Sequence, residues 1–251
     1  MKRLLYDVIF DVPEQTELVA DTGRLSLLTT VLFWVVCLVI VSFFLREEIA
    51  KRYKLAVVFK GAASLAFVML GVMGYEKASV DTVFAGKVLT GLCLGMLADV
   101  LLNLRYLFQK NGQKVFLLGI LVFLAGHVMY IVALAPRNNG LLLSLVIAVV
   151  LAAALLWWVF KQISAEKAFK IFGVFYLGTI MIMTCVAIGV LISDPQVYSS
   201  LFAIGALMFL GSDIILILNT FGSESKNSLR IANILLYYTG QLLIATSLQF
   251  V

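Results

Sequence analysis

The sequence predicts an all-α, polytopic membrane protein, an eight-transmembrane-helix bundle. Composition comes first: 63% of the 251 residues are hydrophobic, 13% are charged and the mean hydropathy is +1.07, far from the composition of soluble domains. Runs of about 20 residues with almost no charge recur along the chain, the length a bilayer core demands. These runs lack the dyad alternation of a barrel, and lipid offers no partner to unpaired backbone groups, so each run is expected to be helical.

Residues 1–24 carry Asp7, Asp11, Glu14, Glu17 and Asp21 before the first long apolar run. That pattern is not a cleavable signal peptide and predicts an amino-terminal non-membrane segment. Residues 25–251 then form the transmembrane domain. Polar clusters cut it into spans near 25–45, 55–74, 83–105, 113–135, 140–160, 168–192, 197–220 and 229–250, joined by short loops.

The net charge of +5 does not mark a nucleic-acid binder, because the basic residues sit at span ends as membrane anchors and form no aromatic-interleaved patch. Loops one, three, five and seven hold Arg46, Lys51, Arg52, Lys54, Arg105, Lys110, Lys114, Lys161, Lys167, Lys170, Lys226 and Arg230. The other side has only Lys2, Arg3, Arg24, Lys77 and Arg137. The positive-inside rule therefore predicts both termini outside the cytoplasm. Cys37, Cys93 and Cys185 fall inside apolar runs without paired spacing and read as small packing residues.

An internal repeat draws attention to the third and seventh spans. In each, a glycine (Gly91, Gly205) precedes an aspartate (Asp99, Asp213) by eight positions, and 28 residues beyond each aspartate lie Gly126-His127 and Gly240-Gln241. A parallel duplication, residues 25–135 and 140–251, accounts for this economically. The matched positions are the polar ones. Gly91, Gly95, Asp99 and Asn103 recur at four-residue steps on one helix face. Phe123, His127 and Tyr130 in the fourth span, and Tyr238, Gln241 and Ala245 in the eighth, likewise share a face at steps of three and four. These faces are expected to meet around a polar cavity.

A carboxylate in mid-membrane costs on the order of 3 kcal/mol even on the lenient insertion scale, so each aspartate needs a partner. Lys60, about five residues into the second span, is the cation at matching depth, unless it snorkels to the interface. His127 reads either as a site residue or as a plain interhelical hydrogen bond, and Asn103 and Asn219 as site residues or helix-end caps. Two carboxyls in a half-dry cavity suit general acid and general base work. No nucleophile elbow, phosphate loop or three-histidine zinc set is present. Two aspartates and one histidine leave a metal site as a weaker alternative, and no metal or cofactor is expected. From the residues alone, an intramembrane hydrolase and a proton-coupled transporter stand level, with a non-catalytic lipid-binding protein as the third reading.

Gly91-x7-Asp99-Val-Leu-Leu, Gly119-x6-Gly126-His127-x2-Tyr130, Gly205-x6-Ser212-Asp213 and Tyr237-Tyr238-x2-Gln241-Leu-Leu-Ile together resemble the YhhN family of lysoplasmalogenases. The resemblance runs from the Lys60 region through Tyr176 to Gln241. It implies eight spans and hydrolysis of the vinyl ether bond of lysoplasmalogens to a fatty aldehyde and a glycerophospho head group. The partners so implied are a lysophospholipid substrate and membrane lipid. Asp99 and Asp213 would then be the acid/base pair. Lys60, Asn103, His127, Tyr130, Tyr176, Ser212, Asn219, Tyr238 and Gln241 would support them, Lys60 by attracting the substrate phosphate.

Overall fold

The computed structural model describes residues 2–78, 81–108, 110–164 and 167–251, with the side chains of 2–24 and 167–169 left aside. The expected non-membrane segment, residues 1–24, thus lies outside the residues whose side chains are described. Among the described residues the fold is all helical: α1 (Lys2–Ile49), α2 (Tyr53–Lys77), α3 (Thr82–Leu104), α4 (Gly112–Leu134), α5 (Leu141–Gln162), α6 (Lys167–Ser193), α7 (Val197–Phe221) and α8 (Asn227–Ser247). Short 3₁₀ turns follow α4 and α8. Among the described residues eight helices, the first counted from Leu25, are long and apolar enough to cross a bilayer, and they match the expected spans to within a few residues.

The burial pattern is that of a protein dissolved in lipid. Helix α8 has the lowest span hydropathy, 1.3, and is the most enclosed, with 67% of its window buried, whereas α1 and α5 reach 2.7 with only 22% buried. A helix facing lipid must be apolar all round, while one enclosed by its neighbours can carry polar groups that find partners. Leu142, Leu143, Val149 and Val150 of α5 accordingly point outward. Four polar side chains along the middle of α8, Asn233, Tyr237, Tyr238 and Gln241, are buried.

Two helix pairs form the centre: α3 packs most closely against α4, and α7 against α8. In both pairs the backbones cross at glycines. A side chain on Gly126 would meet the Gly91 carbonyl oxygen at 3.2 Å, and one on Gly240 would meet the Gly205 carbonyl oxygen at 2.8 Å. Such close approach is open only to residues without Cβ. It leaves each aspartate two turns past its crossing glycine, on the side where α2 and α6 lie against the pairs.

Candidate functional site

Asp99 is almost fully buried and has a built set of donors. Lys60 of α2 turns inward instead of snorkelling, and its Nζ lies 3.2 Å from Asp99 Oδ1. Its ammonium also stands 5.6 Å from the centroid of the Phe44 ring. Oδ2 accepts two short hydrogen bonds, from Ser64 Oγ at 2.6 Å and from Tyr237 Oη at 2.6 Å. Ser64 is one turn beyond Lys60, so a single face of α2 supplies a cation and a hydroxyl. Tyr238 stands beside them, its hydroxyl 3.2 Å from both Ser64 Oγ and the Lys60 carbonyl oxygen. It can donate to either while Ser64 donates to Asp99.

Asp213 is equally buried but less furnished: its Oδ2 accepts from Tyr176 Oη of α6 at 2.9 Å. The charges of Asp99 and Lys60 both reach it through the bundle, so the two carboxyls form one electrostatic centre. The preceding residue, Ser212, clamps α7 to α8. Its Oγ donates to the Asn233 carbonyl at 3.0 Å, and Asn233 Nδ2 returns bonds to Ser212 O at 2.9 Å and Ser212 Oγ at 2.8 Å.

A polar thread leaves Asp99 in the other direction. The Gln241 amide and the Tyr237 hydroxyl both lie beside Gly95, and Gln241 Oε1 accepts from Tyr130 Oη at 3.0 Å. The missing side chain of Gly95 makes room for the Gln241 amide, since a Cβ there would lie 3.1 Å from Nε2. Gly91 likewise gives its space to the Tyr130 ring.

The remaining expected residues divide by place. Asn103 is buried and lines the cavity described below. Asn219 caps a loop, its Oδ1 accepting from Lys226 N at 2.7 Å between α7 and α8. His127 hydrogen-bonds neither aspartate: its Nδ1 lies 2.8 Å from the Phe123 carbonyl of its own helix. A carbonyl only accepts, so Nδ1 carries the proton. The ring is boxed by Phe123, Tyr130, Tyr176 and Phe209, and Nε2 has no partner among the described residues. Ser64 and Asn233 escaped the sequence reading, and Tyr237 stood in a motif without a site role, although Ser64 is four past Lys60 and Tyr237 and Asn233 are four and eight before Gln241.

A cavity of ≈ 1010 Å³, counted out to its open mouth, descends to Asp99, Lys60 and Tyr237. Its walls are Leu102, Ile120, Phe123, Phe172, Leu216 and Ile217, with Tyr176 standing between the cavity and Asp213. Arg105 and Arg230 flank the mouth. Ligand pockets of this kind are mostly apolar with a few convergent polar groups.

A bundle of spanning helices with paired acids beneath an amphipathic cavity defines a multi-pass membrane protein built around a buried polar site. The chain belongs to the YhhN family, whose sequence profile matches residues 55–248. The match runs from the first turn of α2 through α8 and so includes both aspartates and every group that hydrogen-bonds or pairs with them. No curated protein and no solved structure matches the chain.

Proposed function

We propose that this protein is an intramembrane hydrolase that cleaves the vinyl ether bond of lysoplasmalogens, with Asp213 as general acid and Asp99 as general base. The observation that carries the reading is the unequal pair of buried carboxyls at a cavity apolar in its walls and cationic at its mouth, Asp99 at its floor and Asp213 just behind Tyr176 of its wall. Asp99, with an ammonium and two hydroxyls donating to it, is furnished as an anion. Asp213, as deeply buried but with one hydroxyl donor and no ion pair among the described residues, is the less supported as an anion and so the carrier of the proton. Environments that differ between two neighbouring carboxyls are the usual means of dividing acid from base.

The Asp213 carboxyl gives its proton to the vinyl carbon distal to the ether oxygen, and the adjacent carbon becomes an oxocarbenium ion. The Asp99 carboxylate stabilises that cation and accepts a proton from the water that attacks it. The hemiacetal so formed returns its hydroxyl proton to Asp213. The departing glycerol oxygen takes the proton held by Asp99. Aldehyde and glycerophospho head group leave, and both carboxyls are restored. The cation resembles that of glycoside hydrolysis, in which two carboxyls divide the work in the same way.

The test is aldehyde release from 1-alkenyl lysophospholipids by detergent-solubilised protein, followed by mass spectrometry. Asp99→Asn and Asp213→Asn should each reduce turnover by at least ~10²-fold, the scale of a lost general acid or base. Wild-type turnover in either variant overturns the acid/base pair. Proton flux in liposomes without bond cleavage would instead assign the Tyr130–Gln241–Tyr237–Asp99 thread to transport.

A further inference from the structure

Both cations at the mouth lack a role in the chemistry above, and their surroundings differ. Arg230 is neutralised and immobilised by Glu48, which receives both Nε and Nη2. That leaves the opposite edge of its planar guanidinium uncommitted to the carboxylate. Arg105 has no carboxylate partner among the described residues. It is fixed instead by rings, its guanidinium carbon 4.4 Å from the Phe116 centroid and 4.6 Å from that of Tyr106, whose hydroxyl it also donates to at 2.6 Å. A wide vestibule outside the mouth shares Arg105 and adds Lys110. The uncompensated charge at the entrance is therefore positive, on a guanidinium held open by aromatic stacking, which suits a phosphate oxygen pair.

The cavity also has a side branch. A smaller apolar groove between α5, α6 and α7 is lined by Val159, Phe160 and Leu177, and shares Gly173, Ile217 and Phe221 with the main cavity. Gly173 lies in the wall that the two share, and a Cβ placed on it would meet nothing within 4 Å. A cationic mouth and a lateral apolar branch meeting above a polar floor are the complement of an anionic amphiphile with one chain. The six residues from Asp99 to Arg105 span about 9 Å along α3. That is comparable with an extended glycerophosphoryl unit reaching from its phosphate to the carbons beyond its ether oxygen.

We propose that Arg105, seconded by Arg230, holds the phosphate of a single-chain phospholipid whose hydrocarbon chain crosses Gly173 into the groove between α5, α6 and α7. The assignment rests on the hydrolase reading for the position of the scissile bond and is independent of it for binding.

The experiment is equilibrium binding to the full-length protein in detergent of three probes: a saturated 1-O-hexadecyl lysophosphatidylcholine, which has no vinyl ether to cleave, 1-O-hexadecylglycerol, which has no phosphate, and glycerophosphocholine, which has no chain. Arg105→Gln should weaken the lysophospholipid at least tenfold and leave hexadecylglycerol within twofold. Arg230→Lys, which keeps a cation for Glu48, should weaken it less. Gly173→Leu should weaken both chain-bearing probes and leave their ratio unchanged. Equal losses for hexadecylglycerol and the lysophospholipid in Arg105→Gln overturn the phosphate assignment. Unchanged affinities in Gly173→Leu overturn the path of the chain. Glycerophosphocholine or inorganic phosphate binding as tightly as the lysophospholipid would assign the cations to a soluble anion, against the proposal. Absence of aldehyde release, with these binding results intact, would remove the hydrolase reading alone.

Discussion

Helices α2–α4 and α6–α8 use the same crossing to opposite chemical ends. In each group two helices meet at paired glycines, an aspartate follows eight residues after the first glycine, and the preceding helix reaches in to hold it. In the first group that arm is Lys60, a charge; in the second it is Tyr176, a neutral hydroxyl. The residues after the second crossing glycines also diverge. His127 turns back to its own helix, and Gln241 reaches across to accept from Tyr130. A duplicated backbone would place two identical acids, with nothing in the backbone to settle which of them holds the proton. The partners decide, and they come from outside the helix that carries each acid.

Lys60→Met tests this asymmetry most severely. Removing one member of a buried ion pair leaves the other uncompensated, at about 3–5 kcal/mol. A fall in thermal stability of that order in detergent is expected, with loss of turnover. Adding Asp99→Asn should recover much of the stability and none of the activity, since the cost lies in the orphaned charge and not in lost packing. A Lys60→Met protein as stable as wild type would show that the ammonium is no partner of Asp99.

Tyr176→Phe probes the other arm. It removes the hydroxyl donor to Asp213 while keeping the ring, at about 1–3 kcal/mol for a bond to an acidic group. Turnover should fall roughly 10-fold or more on that scale. Tyr237→Phe, which takes one of several donors from Asp99, should cost less. Equal effects would erase the distinction between a richly and a sparsely furnished acid.

The spans, the two acids and Lys60 were legible in the sequence; the contrast between the acids was not, and what was missed has a common cause. Charge-free runs of fixed length mark spans unambiguously, and an aspartate inside such a run stands out because nothing near it is polar. The rotation of each helix does not stand out, because lipid-facing and core-facing residues are equally apolar and no periodicity separates them. Tyr237 and Tyr238 are adjacent in sequence, yet Tyr237 alone reaches Asp99, and Tyr238 touches Ser64 and the Lys60 carbonyl. Four-residue steps from Lys60 and Gln241 recover Ser64, Tyr237 and Asn233 once the helix face is known. Arg105 and Arg230 were hidden for another reason. Basic residues at span ends are the normal anchors of any membrane helix, and only a cavity between α3, α6, α7 and α8 separates these two from the rest.

The starts of α3 and α7 repeat the contrast on a smaller scale, at the end of the bundle away from the cavity. Gln196 opens α7 through a neutral capping box with Ser199. Asp81 opens α3, its Oδ1 accepting from Phe84 N at 2.9 Å, and its Oδ2 pairs with Arg137 at 2.8 Å. Arg137 in turn stacks on Phe84 and Tyr198. The hydrogen bond from Arg137 holds the Asp81 carboxyl below its ordinary range, helped by the Phe84 amide. A depressed carboxyl stabilises the fold above the unfolded value of about 3.9, and that stabilisation disappears as pH falls through the folded value. Asp81→Asn keeps the cap and loses the charge, so solvent screening limits its cost to about 1 kcal/mol or less. Its melting temperature should lie slightly below that of wild type at neutral pH, by an amount constant between roughly pH 5 and 8, and the two should converge in acid below about 4. A gap that persists in acid would show that the carboxylate charge contributes nothing and that α3, like α7, is held by its neutral cap alone.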